Sequence, residues 1–144
     1  MKTVKVVNKS GHELPQYQTK GSAGLDIRAV LTEPFTIPPN YSAIIPTGLY
    51  VELPKGHELQ IRPRSGLAAK NLITVLNSPG TIDEDFRDEI KVILINHGNA
   101  DFVINNGDRI AQGVLNKYEQ IKWQEVDSLD ETERTGGLGS TGTK

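Results

Sequence analysis

The chain has 144 residues, with 16 basic and 18 acidic side chains for a net charge of −2, 36% hydrophobic residues and no cysteine. That is the length of one domain with an ordinary globular core, and the near-neutral charge argues against a broad basic face for duplex nucleic acid. The absence of cysteine excludes disulfides, zinc–thiolate centres and thiol nucleophiles, and no apolar run has signal-peptide or membrane-span length. The expectation is a soluble cytoplasmic protein that binds neither nucleic acid nor membrane.

In chain order, short alternating or β-branched stretches predict strands over residues 4–7, 25–30, 35–37, 43–45, 49–53, 58–62, 73–76, 89–95, 102–104, 110–115 and 121–126. Turn chemistry separates them at Pro38-Pro39-Asn40, Pro54-Lys55-Gly56, Ser78-Pro79-Gly80, His97-Gly98-Asn99 and Asn105-Asn106-Gly107-Asp108. No window holds a sustained helical stripe, and one helical turn is expected at residues 65–71. Many short strands at turn spacings of about 8–12 residues indicate an all-β sandwich, barrel or jelly roll. The composition changes after Val126. Residues 127–133 are acidic and polar, and residues 134–144 hold four glycines and one large apolar residue, Leu138. Such a segment buries too little to offset the entropy of ordering it. The expected division is a β-barrel domain over 1–126 and a flexible, Gly-rich C-terminal arm over 127–144.

Several segments can carry chemistry. Gly137-Leu138-Gly139-Ser140-Thr141-Gly142 has the glycine spacing of a phosphate loop, but Thr143-Lys144 stand where a Walker loop has Lys and then Ser or Thr, so a P-loop NTPase is excluded. Its glycines can still turn backbone N–H groups onto phosphate oxygens, with Ser140 and Thr141 adding hydroxyls. Arg62-Pro63-Arg64-Ser65-Gly66 reads in two ways. It is an anion site, built from the Arg64 fork, the Ser65 hydroxyl and the amides of the turn, or an ordinary strand-end turn with solvated arginines. Gln112 reads as a structural strand glutamine, and Asp108-Arg109 as a turn ion pair. The acidic run from Asp83 to Glu89 fails the EF-hand pattern, because Asp88 and Leu94 stand where Gly and Glu are required. It reads as a solvated hairpin tip, or as a strand end that holds Asp83 rigidly as a general base toward water. His12, His57 and His97 show no ligand spacing and read as surface histidines.

Taken in order, these segments resemble the trimeric dUTPase family. Ala23-Gly24-Leu25-Asp26-Ile27 is similar to the family's first motif, and Arg62-Pro63-Arg64-Ser65-Gly66-Leu67-Ala68 to its second. Asn77-Ser78-Pro79-Gly80-Thr81-Ile82-Asp83, running on through Ile95-Asn96, resembles the third. Gly107-Asp108-Arg109-Ile110-Ala111-Gln112 resembles the fourth and residues 134–142 the fifth. The resemblance implies a distorted jelly-roll-like β barrel, assembled as a homotrimer with active sites at subunit interfaces. It implies hydrolysis of dUTP to dUMP and pyrophosphate by water attack on the α-phosphorus, which limits uracil in DNA and supplies dUMP for dTMP synthesis. Asp83 would be the base. Asn77 and the main chain near it would read the polar edge of uracil. The strand around Asp83, with Gly80, Thr81 and Ile82 among the substrate-binding residues, would leave no room for a thymine methyl. Phe86 would lie against the deoxyribose. Arg64, Ser65, Gly66 and Gln112 would hold the triphosphate, and Arg134, Leu138, Gly139, Ser140 and Thr141 of the arm would close over the nucleotide. Asp26 would sit near the metal and water network. Mg²⁺ would ride on the triphosphate, held by phosphate oxygens and water and by no direct protein ligand.

Three positions depart from the family pattern. Phe86 replaces a tyrosine, Leu138 replaces an aromatic that stacks on uracil, and the arm is one residue short after Arg134. Two other functions fit parts of the pattern. A dCTP deaminase shares the fold but needs a glutamate proton shuttle whose motif is not found here. A non-catalytic nucleotide-binding trimer would keep the pocket without needing Asp83.

Overall fold

The computed structural model describes residues 1–143; Lys144, the last residue of the expected arm, lies outside them. The strands are β1 (Lys5–Asn8), β2 (Leu25–Arg28), β3 (Phe35–Ile37), β4 (Ser42–Pro46), β5 (Leu49–Glu52) and β6 (His57–Arg62). After α1 (Ser65–Asn71) come β7 (Ile73–Val75), β8 (Gly80–Ile82), β9 (Lys91–Asn96), β10 (Phe102–Ile104) and β11 (Arg109–Lys117). They pair antiparallel in four small sheets, β1-β5, β3-β10, β4-β9-β7 and β2-β11-β6-β8. This is the all-β architecture expected from the strand spacing, in the jelly-roll-like barrel form that the family resemblance implies. No helix among the described residues is long and apolar enough to cross a membrane.

Alternation builds the core. Along β9, Val92, Leu94 and Asn96 point inward while Lys91, Ile93 and Ile95 are more open, and Ile45 of β4 is buried where Ile44 is exposed. Ile37, Ile73, Val75, Ile90, Ile104 and Ile110 complete the centre of the core. Each such side chain contributes about 1.5–3 kcal/mol on burial. Asn96 is fully buried but satisfied: its Nδ2 donates to the carbonyls of Ile37 and Ala100, and its Oδ1 accepts from the Gly98 amide.

The structure corrects the sequence reading in four places. Residues 80–82 form β8, although turn chemistry places Gly80 at the end of a turn. Gly80 is buried there, and a Cβ on it would stand 3.2 Å from Ile61 Cβ. Residues 83–89 are not a hairpin tip, because β8 pairs with β6 whereas β9 pairs with β4 and β7. The segment crosses between sheets, and Glu89 Oε1 accepts from the Gly48 amide within it. Residues 121–126 form no strand; they are exposed, Trp123 at 85%, and pair with no strand among the described residues. His57 is buried at the start of β6 and not on the surface, with its Nδ1 against the Lys55 carbonyl at 3.0 Å.

One irregularity matters for the site. Between β2 and β11, Arg109 pairs with Arg28, but Ala111 already pairs with Ile27 and Gln112 with Asp26. The strand β11 therefore carries one extra residue at Ile110. Side chains alternate with period two, so a regular strand would put Arg109 and Gln112 on opposite faces. The bulge restores Arg109 to the face of Asp26 and Gln112 while Ile110 stays in the core.

Candidate active site

Four of the five motif segments become neighbours in one sheet. Asp26 lies on β2, Gln112 on β11, Arg62 on β6 and Gly80–Ile82 on β8, and the strands stand in that order. Asp26, Gln112 and Arg62 are abreast across three strands. The face they form opens on a hollow of ≈ 340 Å³ that Ala23 and Gly24 also line.

Asp26 is the hub. Its Oδ1 meets Arg64 Nε at 3.3 Å and its Oδ2 meets Arg109 Nη1 at 3.0 Å. Arg109 is therefore not in a turn ion pair with Asp108, as the sequence suggests; Asp108 instead accepts from the Asn105 amide. Arg64 also donates through Nη1 to the Arg109 carbonyl at 2.9 Å. Arg62, in contrast, turns back along its strand to Gln60 through Nε and Nη2. Gln112 donates to the Pro63 carbonyl at 3.0 Å, which ties β11 to the turn that carries Arg64. Beyond that turn α1 starts at Ser65 without a side-chain cap, because Arg64 occupies the capping position. Ser65 and Gly66 are exposed there. The alternative of freely solvated arginines does not hold for Arg64, whose side chain is 27% exposed.

Asp83 lies elsewhere on the same sheet. It comes directly after Ile82, the partner of Leu59, and shares a hollow of ≈ 480 Å³ with Glu58, Glu84, Asp85, Tyr118 and Gln120. Ile82 is buried, so its side chain belongs to the core, and Thr81 is exposed opposite Gln60. Asp83 is exposed, and its carboxylate makes no hydrogen bond or ion pair among the described residues. Level with Glu58, it stands four residues along β6 from the row of Arg62 and Gln112. At strand geometry that is about 13 Å along the sheet, with about 10 Å across two strand spacings to β11. Asn77 is exposed in the β7–β8 turn, with its Nδ2 3.3 Å from where a Gly80 Cβ would be. Phe86 is half-buried against the core.

The loop after Asp83 is anchored by residues that sequence reasoning does not single out. Glu84 Oε2 accepts from the Gly56 amide at 2.5 Å. That bond, and after it the influence of the Tyr118 hydroxyl, holds the Glu84 carboxyl below the usual range. The Glu84 carboxylate correspondingly raises the Tyr118 phenol. Only the acidic run hints at this anchor, since its partners lie on a distant turn and beyond β11.

The arm residues Arg134, Leu138, Gly139, Ser140 and Thr141 are all exposed. Two successive turns run from Gly137 to Ser140 and from Gly139 to Gly142. They use glycines in the left-handed region at positions 139 and 142, at φ 72° and 71°. Among the described residues the arm makes no hydrogen bond to the barrel.

The family model described as dUTPase matches residues 11–142 of this chain. A deoxyuridine 5'-triphosphate nucleotidohydrolase of Finegoldia magna is 51% identical over 96% of this chain and 98% of its own length. One of Treponema denticola is 58% identical over 93% and 94%. Among solved structures, a Staphylococcus bacteriophage 80alpha dUTPase with dUpNHpp superposes with a TM-score of 0.87 at 21% identity, covering 98% of this chain and 99% of that one. A dUTPase from phage phi11 of S. aureus, described with a structural Mg(II) ion, gives 0.80 at 21% identity over 90% and 99%. At that identity the two structures are alike in fold.

Proposed function

The chain belongs to the dUTPase family, and on that footing we propose that it hydrolyses dUTP to dUMP and pyrophosphate by water attack on the α-phosphorus, with Asp83 as general base. The observation that carries this reading is the Asp83 carboxylate, exposed directly after Ile82, whose side chain is buried in the core. A carboxylate with no internal partner is free to take a proton from water. In this role the enzyme removes dUTP before it is used for DNA synthesis and supplies dUMP for dTMP synthesis, in the cytoplasm.

Phosphoryl chemistry needs positioning and charge neutralisation more than covalent help. Arg64, Ser65, Gly66 and Gln112 supply donors for the triphosphate. Asn77 and the main chain of Gly80, Thr81 and Ile82 read the uracil edge, where a mismatched donor pattern leaves buried groups unpaired. The exposed part of Phe86 walls the deoxyribose. The arm, through Arg134, Leu138, Gly139, Ser140 and Thr141, closes over the nucleotide, excludes bulk water and adds donors where charge develops.

Mg²⁺ fits this donor set as a companion of the substrate. Both oxygens of Asp26 already accept from arginines, and among the described residues no three His, Cys, Asp or Glu side chains converge on one point. Magnesium retains water and binds through phosphates with few carboxylates. When bound it would neutralise charge on the phosphate oxygens, with Asp26 in reach only through water.

The proposed assembly is a homotrimer with sites shared between subunits. It is supported by the separation of Asp83 from the Arg64–Gln112 group, since a general base must lie within about 3 Å or one water of its target. Exposed Ile121 and Trp123, 72% and 85% accessible, also favour subunit contacts. The test is pyrophosphate release from dUTP with Mg²⁺, with dCTP, dTTP and UTP in parallel. Deamination of dCTP, or tight dUTP binding without pyrophosphate release, would refute the proposal.

A further inference from the structure

Arg64 is the cation best placed to meet a triphosphate, yet it is already paired with a carboxylate. An arginine bound to a single aspartate is close to neutral as a unit and attracts an anion weakly. Here the carboxylate is shared. Asp26, the least exposed of the three at 18%, binds Arg64 at 3.3 Å and Arg109 at 3.0 Å. Two positive charges face one negative charge, so the cluster keeps a net charge of about +1, in a partly buried setting where charges are screened less than in water.

The same contacts fix the direction of Arg64. Nε is held by Asp26 and Nη1 by the Arg109 carbonyl, which leaves Nη2 without a partner among the described residues. Arg28, opposite Arg109 in the ladder, is turned onto the Gly107 carbonyl at 2.7 Å and takes no share of Asp26. We propose that Arg109 is a positioning residue for the triphosphate. It neutralises Asp26 so that Arg64 keeps its charge for the substrate, while its own carbonyl aims the Arg64 guanidinium. The bulge at Ile110 exists in this account to bring Arg109 to the Asp26 face. The inference rests on the dUTPase reading and deepens it.

The test is binding, measured by calorimetry with dUpNHpp as the non-hydrolysable probe and dUMP as the short one, at several salt concentrations. In Arg109→Gln the cluster falls to zero net charge, and dUpNHpp affinity is expected to drop by about tenfold or more with a weaker salt dependence. The dUMP affinity should drop less. In the double variant Asp26→Asn with Arg109→Gln the net charge returns to +1, and a clear part of the lost affinity is expected back. A purely structural role for Arg109 makes the opposite forecast, because the second substitution then adds damage. Arg109→Lys, which keeps the positive charge beside Asp26, should lose clearly less affinity than Arg109→Gln; this variant decides the matter if Arg109→Gln does not fold. Unchanged dUpNHpp affinity in Arg109→Gln, no recovery in the double variant, or a loss in Arg109→Lys as large as in Arg109→Gln overturns the inference alone. A wild type that binds no dUpNHpp overturns the dUTPase reading, and the inference with it.

Discussion

A Cβ on Gly24 would stand 2.2 Å from Oε1 of Gln112, so the bare glycine is what allows the glutamine amide to lie against the start of β2. The same amide donates from Nε2 to the Pro63 carbonyl. Three motif segments are thus joined through one side chain.

Gly24→Ala forces that amide to move. The atom in the way is the end of a side chain, so the fold should survive while the bond to Pro63 is lost or weakened. One hydrogen bond is worth about 0.5–1.5 kcal/mol, which corresponds to a rise in KM for dUTP of about 2- to 10-fold with kcat less affected. Steady-state kinetics with circular dichroism as a fold control measure it. A KM equal to wild type would mean that Gln112 does not hold the phosphates.

Asp83→Asn keeps the shape of the side chain but removes the proton acceptor. General-base catalysis contributes about 10²–10⁴-fold, so turnover should fall by at least the lower figure while dUpNHpp still binds. Retention of more than about a tenth of the turnover would remove Asp83 from the base role.

Glu84 gives a pH dependence with a definite sign. Its folded pKa lies below the ordinary 4.5, chiefly through the Gly56 amide and then Tyr118. Its contribution to holding the loop is therefore complete above the ordinary carboxylate range and is lost as pH falls through the depressed folded value. Wild type should show protection of the Gly56 amide from hydrogen exchange that weakens in acid, and Glu84→Gln should lose that acid dependence. Tyr118 shifts the other way, raised above 10.0 by Glu84. Its alkaline absorbance titration should move down in Glu84→Gln, and a fixed titration would contradict the influence of Glu84 on Tyr118.

Shared sites predict complementation. One chain lacks residues 134–144, and the other carries Asp83→Asn with its arm intact; each homotrimer should be nearly inactive. The arm of 11 residues (134–144) spans at most about 36–40 Å when extended, enough to leave its own barrel. Refolding the two chains together should restore activity if arms serve neighbouring chains. Mixed trimers, confirmed present, that are no more active than their parents would exclude arms acting in trans.

Features that depend on short range were legible in the sequence. Period-two alternation marked β4, β5, β6, β9 and β11 to within a few residues. Motif order pointed to the family and to its reaction. Local pattern misled where pairing was decided at a distance. Gly80–Ile82 is a strand because β6 offers it an edge, and residues 121–126, with an equally strand-like pattern, pair with no strand among the described residues. In sequence Arg109 looks bound to its neighbour Asp108, but a single extra residue in β11 inverts the parity of the strand and hands it to Asp26, 83 residues away. Alternation shows which residues of a strand share a face. Which strands lie side by side, and where a bulge shifts the register, depends on how the whole core closes, so the Asp26–Arg64–Arg109 cluster exists only at the level of the tertiary structure.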